Sequence, residues 1–424
     1  MLIRFEVENF RSILEPIELS MVAVDQDRIE ARPQHKLGVS VLATAGIFGP
    51  NASGKSNVLA ALAWLRDAVG HSLRQWDDTI PVEPFAFGEA THRDSSFALE
   101  MSVDGIRFEY LLDLNSQRVS FEALYHYPEG RRRRIFEREQ NDLVLQRGLA
   151  ELSGTRALLT DRSLALSIIR RFDEPITSEF ARQLLRVASL GQPLTRFRRL
   201  PGPAVQSTLR MFDTPQEEEL DLFLDEESRL GAQSVRQRAM SLLRLADLGV
   251  TDVEVEETKV DIDRSNSYAR RSPQLVHSSK QEQLAFEYKN ESAGTRAWFE
   301  LIGPVLVALQ RGSIVLFDEL DASLHPILTA QLVNLFQSRS SNPGGAQLLF
   351  TSHDTNLLNH LNRDEVWLTQ KNSDGTTRFA ALSDFAGERV RRSQNIESGY
   401  LGGRFGALPD TARPEVLRDL GLIG

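Results

Sequence analysis

The 424-residue chain has no cysteine. That excludes disulfides, thiolate zinc sites, iron–sulfur clusters and cysteine nucleophiles, and it fits a reducing cytoplasm. Positive charge is in deficit: 49 Lys and Arg against 59 Asp and Glu give a net charge of -10. Uniform coating of nucleic acid is therefore disfavoured, while a local basic groove stays compatible with an acidic body. Long hydrophobic runs are missing as well. The strongest apolar stretch, Leu301 to Leu309, is broken by Gly303 and Pro304 and is too short to span a bilayer, so no membrane segment is expected. The start, Met1 to Glu8, alternates apolar and charged residues like a strand and lacks the apolar core of a signal peptide. Neither tandem repeats nor long heptad arrays are present. What the chain does have is 41% hydrophobic residues, enough for one large domain with an insertion or for two domains.

The most informative stretch is Gly49, Pro50, Asn51, Ala52, Ser53, Gly54, Lys55 and Ser56, a GxxxxGKS phosphate loop, followed directly by Asn57. An apolar run before it (Val41, Leu42, Ala43, then Ile47 and Phe48) reads as a buried strand, and Val58 to Val69 has helical periodicity. In this pattern, glycines let successive backbone N–H groups converge on phosphates and the helix N-terminus adds positive potential. Lys55 reaches the β- and γ-phosphates, and the Ser56 hydroxyl is a ligand for Mg²⁺. ATP and Mg²⁺ are the expected cofactors.

Further downstream, Ile314 to Phe317 lead into Asp318 and Glu319, as a buried parallel strand delivering carboxylates to its C-terminal end would read. In this Walker B pattern Asp318 holds Mg²⁺ directly or through water, and Glu319 polarises the attacking water. Some twenty residues earlier, Glu291 to Arg296 precede a helix-patterned run from Ala297. Ser292 and Gly294 there match an S-x-G signature, with a plain helix N-cap as the alternative. Leu320, Asp321, Ala322, Ser323, Leu324, His325 and Pro326 read as a D-loop. Leu348 to Ser352 form an apolar strand ending at His353, a candidate switch histidine for the γ-phosphate.

Around these motifs, Leu2 to Glu8 and Ile17 to Val24 read as a hairpin-like pair of strands. Phe97 to Val103, Ile106 to Leu114, Glu122 to Tyr127 and Arg134 to Arg138 read as an antiparallel β-layer. Leu158 to Arg171, Ser178 to Leu190 and Gln233 to Leu248 carry helical patterning, and serine-rich Asp261 to Gln281 reads as a mobile loop between strands. The resulting division is 1–148 and 251–385 for the two parts of an ATPase head, 149–250 for a helical insertion and 386–424 for a tail. Arg389, Arg391, Arg392 and Arg404 with Tyr400 and Phe405, among glycines, give that tail either an interface role or a place folded back on its own domain. The run Arg131 to Arg134 reads as a solvated hairpin or a phosphate-backbone contact.

With the motifs in that order, the chain resembles the ABC-type ATPases of the RecF, SMC and OLD group, bacterial AAA-family ATP-binding proteins in particular. The opening Val7 to Ser12 is similar to that group's N-F-R-S segment, and Ala246-Asp247-Leu248-Gly249 also looks like its small ATPases. The resemblance implies an α/β fold: a P-loop ABC-type ATPase head, with a mixed sheet and an antiparallel β-layer, split by a helical insertion. It makes Arg11 and Ser12 base or phosphate contacts, unless they only form a β-turn. It also implies that Ser292 and Gly294 complete a second protomer's site in a head-to-tail homodimer or higher oligomer. Hydrolysis of ATP to ADP and phosphate follows. Departures are equally informative. No Q-loop glutamine stands after the first helix, where Pro81 to Gly88 carries Glu83, Phe85 and Phe87 instead. The residues beyond Asp384 are too few for the Toprim domain of an OLD nuclease. The expected role is a switch in anti-phage defence with a separate effector such as a nuclease. The alternative is a RecF-like DNA-repair or DNA-clamping ATPase, so DNA is a possible partner; a transporter subunit fits the large insertion poorly.

Overall fold

The computed structural model describes residues 1–146, 154–172, 174–195, 204–212, 226–263, 266–279, 282–322, 324–385 and 396–405. Two sheets organise it. The first has seven strands, all antiparallel, in the order Asp142–Leu145, Arg133–Glu139, Val119–Tyr127, Ile106–Leu114, Ser95–Val103, Leu2–Glu8 and Ile17–Ser20. Period-two alternation along Leu2–Glu8 buries Phe5 and Val7 on one face and leaves Arg4 and Glu6 half-buried on the other. The buried face packs on the helix Lys55–Gln75, where Trp64 stacks on Phe97 with ring centroids 4.9 Å apart.

The second sheet carries the motifs. Its order is Ala188–Gly191, Ile314–Asp318, Gln347–Thr351, Thr44–Phe48, Val366–Lys371 and Thr377–Ala381; the first five strands are parallel and the last is antiparallel. Three of these strands are buried along their whole length. That explains their unbroken apolar reading, because both faces are covered. Ile314 and Leu316 join the core under Lys55–Gln75. Val315 and Phe317 join the opposite core, under the helices Ala293–Arg311 and Pro326–Gln337.

Between the motif blocks the helices Thr155–Leu158, Ala165–Ile169, Pro175–Leu185, Ala204–Leu209 and Glu226–Ala246 follow in order. Glu122 ties the helix Ala165–Ile169 to the antiparallel sheet. Its buried carboxylate accepts the N–H groups of Ala165 (2.6 Å) and Leu166 (2.8 Å), beside the equally buried Arg138 at 3.8 Å. A second tie repairs the helix Ala293–Arg311, which contains Pro304. Thr208 Oγ1 donates to Phe299 O (2.7 Å) and accepts from Gly303 N (2.9 Å), so one hydroxyl is inserted into the helical ladder next to the proline. Thr208→Val keeps the shape and orphans both groups. A loss of about 1–3 kcal/mol in denaturant unfolding is expected.

Several expectations are corrected. Residues 41–48 are not one strand: Val39–Val41 pairs with Arg32–Gln34, and the sheet strand starts at Thr44. The second strand of the opening hairpin ends at Ser20, not Val24. Leu158 to Arg171 is broken, because Thr160 and Ser163 exchange side-chain bonds with each other's backbone N–H (2.9 and 3.0 Å) and stop the helix. Ser178 to Leu190 is helical only to Leu185; Ala188–Gly191 is instead a strand beside Ile314–Asp318. The stretch expected to be a serine-rich loop is mostly a long hairpin, Val250–Asp263 against Asn266–Ser278, with register running from Val250↔His277 to Asp263↔Asn266. Ser265, Gln281, Ser323, Arg389, Arg391 and Arg392 lie outside the described residues. Tyr400 and Phe405 are anchors of the chain's own core, packed with Phe385, and Glu397 accepts from Thr355 (3.0 Å) and Asn359 (2.7 Å). No helix among the described residues is long and apolar enough to cross a membrane.

Candidate nucleotide site

The C-terminal ends of the parallel strands converge on one edge, the place where open α/β sheets bind ligands. Thr44–Phe48 runs into the phosphate loop, whose left-handed residues include Ala52 (φ 60°) and Gly54 (φ 100°), and then into the helix from Lys55. A Cβ on Gly54 would collide with Thr377 Oγ1, so the tight turn requires glycine there. Pro50 is half-buried, Asn51 and Ala52 are exposed, and Ser53 and Lys55 are buried. From behind, Ser53 Oγ bonds Thr369 Oγ1 (2.6 Å) and Thr377 Oγ1 donates to Ser53 O (3.0 Å). Ser12 Oγ meets Thr377 Oγ1 (2.7 Å) and accepts from Asn57 Nδ2 (2.7 Å), which places Ser12 and Asn57 against the loop.

Lys55 Nζ donates to Gly49 O (2.9 Å) and Pro50 O (3.0 Å). Burial lowers its pKa from 10.5 to about 8, against the upward pull of Asp318, Asp321 and Glu319. This ammonium therefore sits in the field of the three carboxylates that the motifs predict. The lowered value fixes the sign of two pH effects. Between about pH 8 and 10.5 the folded chain holds fewer protons than the unfolded one, so the lysine's burial becomes less destabilising as pH rises through that window. Phosphate selects the ammonium form, so ATP affinity is expected to be flat near pH 7. Above pH 8 it should fall by up to about tenfold per unit, with proton uptake on binding. Calorimetry in two buffers of different ionisation enthalpy checks this; an affinity that stays flat up to about pH 9.5 would contradict it.

Thr351, on the strand next to the acids, organises them: its hydroxyl donates to Asp318 Oδ1 (2.7 Å) and accepts the Glu319 N–H (2.8 Å). Glu319 itself is left-handed at φ 56°, a strained conformation for a non-glycine residue and one that accumulates at functional sites. Asp321 Oδ1 accepts the His353 N–H (3.1 Å), which joins the D-loop to the exposed histidine. Asp318 is buried, and with Ser56, Glu319 and Asp321 it offers only oxygen donors beside a phosphate cradle. That donor set fits Mg²⁺.

Other predicted residues stand apart in a single chain. Arg11 pairs with Glu83 (3.3 Å) and donates its N–H to Glu83 O (2.7 Å), while Asn9 Oδ1 accepts the Phe85 N–H (3.0 Å). The segment Pro81 to Gly88 thus closes over the turn at Asn9–Ser12. Ser292 is the N-cap of Ala293–Arg311, its Oγ accepting from Thr295 N (3.0 Å), and Gly294 has an open flank. Sequence reasoning missed Thr351, Thr369 and Thr377, which carry no motif, and also Gln192. That glutamine follows Ala188–Gly191, and its N–H donates to Asp318 O (3.4 Å); Gly191 is so close to Asp318 that a Cβ would strike the Asp318 carbonyl. An apolar strand ending in Gly-Gln was the available signal.

Among solved structures the chain is similar to "SMC head domain from Thermotoga maritima", at 11% identity over 90% of this chain and 98% of that one with a TM-score of 0.40. It is also similar to "Crystal structure of the SmcHead bound to the C-winged helix domain of ScpA", at 11% identity over 90% and 97% with a TM-score of 0.42. No curated protein matches it. The model of the family described as "AAA domain, putative AbiEii toxin, Type IV TA system" matches residues 45–359, from the strand before the phosphate loop to just beyond His353. The chain belongs to this AAA ATPase family.

Proposed function

We propose that the chain is an ATP-hydrolysing switch of the OLD-like kind, serving cytoplasmic anti-phage defence through a separate effector such as a nuclease. The observation that carries the switch is the meeting of Lys55, Asp318, Glu319 and Asp321 at one sheet edge. The family description, which names a toxin–antitoxin system, supports the defence role. Lys55 and the loop N–H groups bind the β- and γ-phosphates. Ser56 and Asp318 would hold Mg²⁺, which would supply positive charge to the phosphate oxygens. Glu319 takes the proton of the attacking water, and His353 donates to the γ-phosphate. Gln192, beside Asp318, senses the site and relays its state to the segment that follows. Arg11 and Ser12 contact base or phosphate once Arg11 exchanges Glu83 for nucleotide, and Ser292 and Gly294 close a partner's site. Phage challenge of cells carrying the gene with its neighbours is the test. Lys55→Ala should abolish protection at unchanged protein level, and retained protection would count against the switch.

The DNA-clamping alternative has one observation in its favour: a cleft of about 480 Å³ lined by Arg170, Arg171, Arg182 and Arg186. Burial, then the nearby Arg171 and Arg74, hold the Arg170 guanidinium below its usual value, as expected where positive charge is concentrated. Within that cleft Arg182 is paired with Glu179, and in the run Arg131 to Arg134 three arginines are paired: Arg132 with Glu109, Arg133 with Glu129 and Arg134 with Glu137. Salt-dependent DNA affinity of the isolated protein, lost on Arg171→Glu with Arg186→Glu, would favour this second reading.

A further inference from the structure

Away from the nucleotide edge, Asp247, His277 and Glu291 bring one ligand atom each to within 4.8 Å of one another. They come from three separate segments. Asp247 follows the helix Glu226–Ala246, His277 lies at the base of the long hairpin, and Glu291 directly precedes the helix cap Ser292. The cluster is held in place. His277 Nε2 lies 2.9 Å from Glu291 Oε1, Asp247 Oδ1 accepts the Gly249 N–H at 2.8 Å, and the His277 ring stands edge-on to Phe286 at 5.3 Å. The guanidinium groups nearest in sequence are directed to main-chain carbonyls: Arg244 to Thr251 O (2.9 Å) and Arg296 to Lys289 O and Glu291 O (both 2.9 Å). Two carboxylates gathered around one imidazole repel each other, and a dication between them reverses the sign of that interaction.

We propose that Asp247, His277 and Glu291 bind one divalent transition-metal ion, zinc by its chemistry, and that the ion fastens the signature loop to the base of the hairpin. One imidazole nitrogen with two carboxylate oxygens is a set that zinc accepts, with water as the fourth ligand. Magnesium and calcium prefer oxygen alone. All three residues are half-buried, so the ion can enter from solvent. By fixing Glu291, the ion fixes the position of Ser292 and Gly294. That consequence for assembly rests on the signature reading above, whereas the metal site does not.

The test uses the full chain, with any affinity tag removed, in excess Mg²⁺ and without nucleotide. Zinc is added, the protein desalted, and retained metal measured by elemental analysis, with cobalt absorption reporting the coordination geometry. Wild type should retain about one zinc per chain and melt at a higher temperature with zinc than without. Lys55→Ala should retain it equally, which separates this site from the nucleotide reading. His277→Ala should lose both effects. Glu291→Gln and Asp247→Asn, which preserve shape and hydrogen bonding, should lose them too and serve if the alanine variant does not fold. Folded wild type that retains no zinc, or zinc retained undiminished by the folded variants, overturns the proposal and leaves a hydrogen-bonded His–Glu pair.

Discussion

Lys55→Ala is expected to abolish ATP binding while leaving the protein folded. The two halves of that expectation have separate causes. In binding, Lys55 is the cation proposed to meet the β- and γ-phosphates, inside a site whose other nearby charges are the carboxylates of Asp318, Asp321 and Glu319. Truncating one partner of such a desolvated charge contact costs about 2–5 kcal/mol, roughly 30-fold to several thousand-fold in Kd. In folding, the ammonium bonds the carbonyls of Gly49 and Pro50, and burial has already lowered its pKa to about 8, so removing it relieves a buried charge. Equilibrium titration with a fluorescent ATP analogue, beside a thermal melt, checks both. Unchanged affinity in the folded variant would refute the assignment.

The second large effect concerns a site divided between subunits. Ser292 caps its own helix, and Gly294 leaves the start of that 19-residue helix open on one flank. A helix start of that length is suited to receive phosphate from another molecule. In a head-to-tail pair, Lys55→Ala and Ser292→Arg each destroy both sites of their own homodimer. In a mixed dimer one site collects both lesions and the other none. Equal mixing should therefore recover about a quarter of wild-type ATPase activity if the sites act independently, since half the dimers are mixed and each has one intact site. No recovery, with mixed dimers demonstrated and wild-type dimers active, would count against a shared site.

The parts of the site that were legible in sequence are those dictated by short-range chemistry. A loop of glycines ending in Lys55-Ser56, and an apolar strand ending in Asp318-Glu319, each need only a few adjacent residues. The parts that were not legible depend on distant chain. Ala188–Gly191 continues the apolar spacing of the helix before it, and only pairing with Ile314–Asp318 makes it a strand. The serine-rich stretch from Asp261 to Gln281 reads as a loop between strands, yet most of it continues the hairpin Val250–Asp263 against Asn266–Ser278, held by antiparallel pairing. Thr351 is an ordinary strand residue until the fold places its hydroxyl between Asp318 and the Glu319 N–H. Tyr400 and Phe405 suit either an interface or a tail folded back on its own domain by composition, and packing with Phe385 in the core decides for the second.

Nucleotide bound at this sheet edge is expected to change how the chain assembles. Glu319→Gln keeps the carboxylate's shape and removes its basicity, so ATP should bind and persist. The most direct measurement is the mass of this variant in solution, with Mg²⁺, with and without saturating ATP. A dimer or larger closed assembly is expected with ATP, dissociating when ATP is removed. The same mass in both conditions, with ATP shown to be bound, would contradict it.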